Sequence, residues 1–255
     1  METYFISDIH IKDINERNGV ILLRFLNFLA EKKKAEQVRL FLLGDIFDLW
    51  ILDGEAFVKK YRPLVDAIRR LKEKGAQITF FEGNHDVHMA GFWTQRLGIE
   101  VHVEAQYYKI DNLTIRLEHG DLMNPHDEAY LKYRAVIRNP YVVQLGRLVP
   151  GEIWNWAGMK ASQKSRYRTG TRSEEKNARI VQTIRNHVPK AYAEKPFDLI
   201  ISGHMHVFDD CDINIAGRSV RSINLGSWLE TPNTLVIKDS QLTWIKGTEF
   251  MNLIS

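Results

Sequence analysis

A single cysteine, Cys211, is all the thiol in 255 residues. It excludes an intrachain disulfide and fits a reducing compartment. No apolar run reaches the roughly 18 residues that a membrane-spanning helix needs. Met1 leads almost directly into Tyr4-Phe5-Ile6, without the basic stretch or small-residue cleavage site of a secretory signal. There is no internal repeat and no low-complexity tract. The formal net charge of +3 is too small to argue for nucleic acid by itself. These absences predict a cytoplasmic globular protein, and a hydrophobic content of 44% is enough for a sizeable core. The length suits one large domain, or one domain carrying an insertion.

What the chain does have is five short polar clusters, each following an apolar run. They are Asp8-Ile9-His10, Gly44-Asp45-Ile46-Phe47-Asp48, Gly83-Asn84-His85-Asp86, His119-Gly120-Asp121 and Gly203-His204-Met205-His206. The apolar runs at 4–7, 38–43 and 78–81 read as buried strands. Helical spacing separates them, with Leu22, Phe25, Leu26 and Leu29 in one segment and 55–74 in another, stopped by Gly75. Strand, helix, strand, helix, strand is the rhythm of a parallel sheet, whose ligands collect beyond the carboxyl ends of the strands. The glycines suit a chain that turns sharply beside an ion. Further on, 107–110 and 114–117 form a predicted hairpin about Asp111-Asn112, and 199–202 is another buried strand. Segments 213–215, 220–224, 234–237 and 242–245 alternate as a terminal antiparallel meander. Two facing sheets with helices outside make a layered α/β sandwich.

Taken singly, each cluster has an ordinary explanation. An Asp after a strand is commonly a turn residue or helix N-cap, and Gly-Asn-His-Asp can be a tight turn. Together they supply the Asp, Asn and His donors of two divalent ions that share a carboxylate. Such a pair, about 3.5–4 Å apart, provides hydroxide and neutralises charge developing on phosphate oxygens. Asp45 is the predicted bridge. Asp8, His10 and His206 complete one site, while Asn84, His119 and His204 complete the other. Mixed nitrogen and oxygen ligation without thiolate suits manganese, with iron and zinc as alternatives. His88, His102, His126 and His187 are expected on the surface or at helix ends. Met205 is read as packing rather than as a ligand.

These clusters, in this order, resemble the signature of calcineurin-like metallophosphoesterases. The resemblance runs from Asp8 to His206 and implies a four-layered α/β sandwich with two metals between sheet ends. It also implies that His85 acts on the leaving group, with Asp48 and Asp86 supporting the shell. Ile6-Ser7-Asp8-Ile9-His10, the stretch Gly44 to Trp50, the helix carrying Asp127, Tyr130 and Arg134, and Asn224-Leu225-Gly226-Ser227-Trp228 are similar to the UDP-2,3-diacylglucosamine hydrolases of lipid A synthesis. That resemblance implies cleavage of a UDP-linked diacyl sugar to UMP and a lipid sugar phosphate. There are two departures. The best-known branch carries arginine where this chain has His85, and Val207-Phe208-Asp209-Asp210 replaces a proline-containing continuation.

Residues 127–188 interrupt the pattern and read as a helical cap within a 1–255 metallophosphoesterase domain. The segment opens with a helix at 127–137. It closes with another, whose start Thr171 and Glu174 mark as a capping box. Between them lie Tyr141-Val142-Val143, Leu145, Leu148-Val149, Ile153, Trp154 and Trp156, followed by a basic run at 160–179. Apolar and aromatic residues can meet lipid while Lys and Arg meet phosphate or the inner membrane surface. Position and charge select Asp127, Tyr130, Arg134, Lys160, Lys164 and Arg168, with His204, as substrate-binding residues. The predicted partner is a lipid-linked nucleotide sugar at the membrane periphery. Nucleic acid is disfavoured because the aromatics cluster with aliphatics. The alternatives are a soluble phosphodiesterase or nuclease of the same superfamily, or a non-catalytic scaffold, which should show gaps among its ligands. The sequence leaves the oligomeric state open.

Overall fold

The computed structural model describes residues 1–31, 34–52, 54–149, 153–154 and 173–254. The first half runs β1 (Glu2–Ile6), α1 (Arg17–Glu31), β2 (Val38–Leu43), β3 (Trp50–Ile51), α2 (Glu55–Lys60), α3 (Arg62–Glu73), β4 (Gln77–Phe81), β5 (Asp86–Val87), α4 (Ala90–Leu97) and β6 (Glu100–His102). The hairpin β7 (Gln106–Ile110) and β8 (Leu113–Leu117) follows, then α5 (Glu128–Ile137), α6 (Pro140–Gly146) and α7 (Glu174–Glu194). The chain ends with β9 (Leu199–Ser202), β10 (Phe208–Ile215), β11 (Arg218–Leu225), β12 (Asn233–Lys238), β13 (Gln241–Lys246) and α8 (Gly247–Leu253).

Two large sheets result, with strand orders β13-β12-β1-β2-β4-β6 and β10-β11-β9-β8-β7, and β3 pairs with β5 in a small two-stranded sheet. Strands β1, β2 and β4 are parallel, so the first three polar clusters leave the same edge. Period-two alternation then builds the layers. Phe5, Phe41, Leu43 and Phe81 face Ile115, Leu117, Ile201 and Ile223 between the sheets. Their neighbours Tyr4, Ile6, Leu40, Leu42 and Phe80 pack outward against Phe25 of α1, Leu64 and Ile68 of α3, and Trp93 of α4. Val188 and Ala191 of α7 cover the second sheet over Ile200 and Val220. Helix, sheet, sheet, helix is the four-layered arrangement, and each large side chain buried in it contributes about 1.5–3 kcal/mol.

Local chemistry explains where elements differ from expectation. The segment 55–74 is two helices, because Pro63 sits in the first turn of α3, where its missing N–H needs no partner. Helix α7 is capped by Ser173, whose side chain accepts from the Lys176 N–H. Thr171 lies outside the described residues. The four terminal strands are not one meander. The β10–β11 hairpin joins the second sheet beside β9, and β12–β13 joins the first beside β1. The crossing between them is pinned by Trp228, fully buried against Phe250. His187 is not at the surface. It lies mid-helix in α7 with 13% of its side chain exposed, 2.7 Å from Glu118.

Candidate metal centre

The five clusters converge at one end of the sandwich. Five of the seven predicted ligands hold left-handed backbone: Asp8, His10, Asp45, His204 and His206 have φ between 51° and 66°. Short polar side chains tolerate this region best, yet each such residue costs of order 1–3 kcal/mol, and such strain gathers at functional sites. Backbone bonds hold the loops in place. Asp8 donates to the Gly44 carbonyl, Ile9 and His10 donate to the Asp45 carbonyl, and Asp48 donates to the Ile11 carbonyl. Buried Asp86 accepts N–H bonds from Asp45, Ile46 and Gly83 at 2.8–2.9 Å, tying the second cluster to the third.

The glycines have two different reasons. Gly44 turns at φ 84°, which glycine adopts freely. Gly83 and Gly203 instead provide room. A β-carbon at Gly83 would fall on the Asp45 carboxylate, and one at Gly203 on the Asp8 carboxylate.

Donor atoms meet in two adjoining groups. Asp8, His10, Asp45 and His206 form one, and Asp45, His119 and His204 the other. Asp45 Oδ2 stands 3.7 Å from His10 Nε2 and 3.8 Å from His119 Nε2, so a single oxygen faces both. Asp45 Oδ1 accepts the His85 N–H at 2.9 Å. In the first group His10 Nε2 lies 2.9 Å from His206 Nε2, which is 3.2 Å from Asp8 Oδ1. In the second, His204 Nδ1 lies 2.9 Å from Asn84 Oδ1 and 3.2 Å from His119 Nε2. Imidazole nitrogens pointed at one another across a shared carboxylate are a donor set that fits cations. Burial pulls His10 down to about 3 and His204 down to about 4, which keeps both rings neutral. Burial also opposes a charge on His119, but Asp45, Asp8 and Asp121 outweigh it and lift that ring to about 9.

His85 adjoins the first group, its ring centroid 4.8 Å from that of His10. Its Nδ1 is 2.9 Å from the Asp48 carbonyl. His10, Asp48 and His85 also bring donor atoms within 4.8 Å of one another.

The predicted substrate contacts divide differently. Asp127 is the N-cap of α5, accepting from the Tyr130 N–H at 3.0 Å. Tyr130 donates its hydroxyl to Asp121, with its ring 5.9 Å from that of His204. Arg134 is ion-paired with Asp121 and Glu104 at 3.0 Å each. The far end of α5 is also anchored. Arg138 pairs with buried Glu82 at 2.7 Å, and His88 Nε2 is 2.8 Å from the Ile137 carbonyl. Helix α5 therefore bridges the loop of His119 and the loop of Asn84. Lys160, Lys164 and Arg168 lie outside the described residues.

Beside Asn84 and His85 lies an apolar cavity of about 190 Å³, lined by Leu49, Ile51, Leu52, Val87, Tyr133, Ile137, Val142, Val143, Gly146 and Trp154. Trp154 donates its indole N–H to the Gly146 carbonyl. The outer faces of α5 and α6 expose Val136 (57%), Tyr141 (77%) and Leu145 (65%), with Leu148 (80%) just beyond. The signal for the cavity was the run Leu49-Trp50-Ile51-Leu52 after the second cluster, but spacing alone does not show that it faces α6.

A family model for calcineurin-like phosphoesterases matches residues 1–208. The chain belongs to the calcineurin-like phosphoesterase family. With that membership and the clustered donors, it is a metal-dependent phosphoesterase of this family. It is 29% identical to the UDP-2,3-diacylglucosamine hydrolase of Azotobacter vinelandii, covering 89% of this chain and 91% of that one. It is 28% identical to the hydrolase of the same name from Pseudomonas aeruginosa, with 89% and 91% covered. Among solved structures of the calcineurin-like phosphoesterase's neighbours is a novel archaeal phosphodiesterase, at 13% identity and TM-score 0.45, covering 96% of this chain and 99% of that one. Another is Vps29 of Entamoeba histolytica complexed with zinc, at 18% identity and TM-score 0.44, covering 96% and 91%. Among the described residues no helix is long and apolar enough to cross a membrane.

Proposed function

We propose that this phosphoesterase hydrolyses the diphosphate of UDP-2,3-diacylglucosamine, giving UMP and an acylated sugar phosphate. The observation that carries this reading is the apolar cavity opening directly beside Asn84 and His85. A phosphoesterase for small polar esters has no use for such a wall there. An acyl chain would bury apolar surface against it, worth about 0.8 kcal/mol per CH₂. Curated relatives across 89% of the chain carry the corresponding name.

Asp8, His10, Asp45 and His206 would hold one ion, and Asp45, Asn84, His119 and His204 the other, with manganese the first choice for these donors. Two ions bound there supply Lewis acidity to the phosphate oxygens and a nucleophile at neutral pH. Asp86 keeps the Asp45 and Asn84 loops in register through its three short N–H bonds. His85 donates its Nδ1–H to the Asp48 carbonyl, leaving Nε2, in the protonated ring, as the nitrogen whose proton serves the departing oxygen. His85 borders the cavity, so the departing oxygen is the one attached to the lipid half. The helices between β8 and β9 act as the cap, and the exposed Tyr141, Leu145 and Leu148 rest against the inner membrane surface. The basic residues Lys160, Lys164 and Arg168 add attraction to phosphate.

The test is release of UMP from UDP-2,3-diacylglucosamine with Mn²⁺, with Asp45→Ala alongside. Release by the wild type alone supports the reading. Brisk hydrolysis of a simple aryl phosphodiester with the lipid substrate left intact would remove it, and salt-sensitive binding of nucleic acid would then favour a nuclease.

A further inference from the structure

The substrate proposed above has two unlike halves, and only the lipid half has so far been given a place. Strand order supplies the other. The apolar cavity lies off β3, β5, α5 and α6, beyond the β2–β4 side of the first sheet. The metal-ligand loops leave β1, β2, β4, β8 and β9 in the middle. On the opposite side of the centre stand β12 and β13 of one sheet and β10 and β11 of the other.

The ends of those four strands that face the centre can be identified from register. Leu225 pairs with Phe208 at the start of β10, and Asn233 pairs with Lys246 at the end of β13. Just past Leu225, Ser227 and Trp228 both bond the carbonyl of Asp8. Phe208 and Lys246 therefore lie on the rim of the metal centre, Phe208 only two residues after His206. There they build a platform. The Phe208 ring is 5.0 Å from that of Trp244, and Lys246 Nζ lies 3.3 Å from the Phe208 centroid and 4.5 Å from that of Trp244. Trp244 is fixed by donating its indole N–H to Asp210 at 2.9 Å, and Arg221 holds Asp210 in turn. Phe208 is still 44% exposed. Among the described residues Lys246 has no hydrogen bond or ion pair with a side-chain acceptor.

We infer that Phe208, Trp244 and Lys246 form the subsite for the nucleoside monophosphate half, the base stacking on the face of the Phe208 ring that Lys246 does not cover and the Lys246 ammonium serving its phosphate. This rests on the substrate reading given above. With the lipid half departing on the His85 side, the nucleotide half extends to the far side of the centre, where this rim stands. A base presents a π-face whatever its hydrogen-bonding edge, so an exposed aromatic ring held by a rigid neighbour suffices to bind it.

Isothermal titration of the manganese-loaded full chain with UMP and with ribose 5-phosphate, which lacks the base, tests this. The wild type is expected to prefer UMP by about tenfold, in the range of one base–aromatic stack. Phe208→Leu, which keeps bulk and loses the ring, should remove that preference, and Phe208→Tyr should restore it. Lys246→Met should weaken both ligands alike. A UMP preference that Phe208→Leu leaves intact would overturn the subsite, even if the wild type releases UMP from the lipid substrate. A Phe208-dependent preference in a protein that leaves the lipid substrate intact would uphold the subsite and remove the substrate reading instead.

Discussion

The metal centre and the wall of helices beside it are built by opposite means. The centre is held by backbone: five left-handed residues, loops bonded N–H to carbonyl, and glycines whose missing β-carbon makes room for a carboxylate. Of its candidate ligands Asp8, Asp45 and His119 are almost wholly buried, at 0%, 1% and 4% exposed, while His206 keeps an edge in solvent. The wall of α5 and α6 is held by a few side-chain anchors, at Asp121, Glu82 and His88, and leaves Tyr141, Leu145 and Leu148 in solvent. Geometry that must be kept to fractions of an ångström is entrusted to the main chain. The apolar wall of the cavity is left to side chains, which can change one at a time.

The sharpest way to break this contrast is at the shared oxygen. Asp45→Ala should reduce turnover to background, because both donor groups lose the same ligand, and metal analysis should find both sites depleted. Asp86→Asn acts one step further back. Weakening its three N–H bonds should lower metal affinity or activity by about 10–100-fold, the usual scale for outer partners of ligands. Metal titration against a reporter chelator checks it.

Glu118 tests whether the layer behind the centre is held by charge. Burial pushes its carboxyl up, but the His187 and Arg116 contacts outweigh burial and hold it below the usual range. A folded pKa below the unfolded one means stability that is complete above the unfolded value of about 4.3 and lost as pH falls through the folded value. Glu118→Gln should cost about 1–3 kcal/mol at neutral pH. In denaturation melts, its deficit relative to the wild type should shrink on acidification.

The smallest effect sharpens the wall. A β-carbon at Gly146 would sit 3.2 Å from Trp154 and 3.5 Å from Leu52, at the edge of the cavity. Gly146→Ala should lower kcat/KM for the longest acyl chains by about tenfold and for short ones less, since a misfit methylene costs about 1–3 kcal/mol. An equal loss across chain lengths would place the acyl chains elsewhere.

The sequence made the centre far more legible than the wall. Apolar runs ending in Gly-Asp or Gly-Asn-His-Asp carry both strand and ligand in a few residues, so Asp8, Asp45, Asn84 and His119 could be placed by reading along the chain. Alternation in 213–245 showed strands but not the sheet each would join, because both sheets bury one face equally well. That choice is made by Trp228 and its burial against Phe250, a contact between residues 22 apart in sequence. Helix α4 escaped notice because eight residues hold barely two turns of periodicity. Tyr130 and Arg134 were legible as sharing a helix face, but not as both belonging to Asp121. The cavity joins residues near 50, 87, 137 and 146, and no local pattern reports such a meeting.

Helix α5, fastened to the His119 loop at one end and to the Asn84 loop at the other, limits how this enzyme can be re-engineered. The stretch between β8 and β9 looks like a cassette that could be exchanged for one with other tastes. A transplant would have to bring its own Tyr130, Arg134 and Arg138, or find Asp121, Glu82 and Glu104 left as unpaired acids around the ligands. On the proposed substrate reading, substrate range is therefore better altered by repainting the cavity than by replacing its frame.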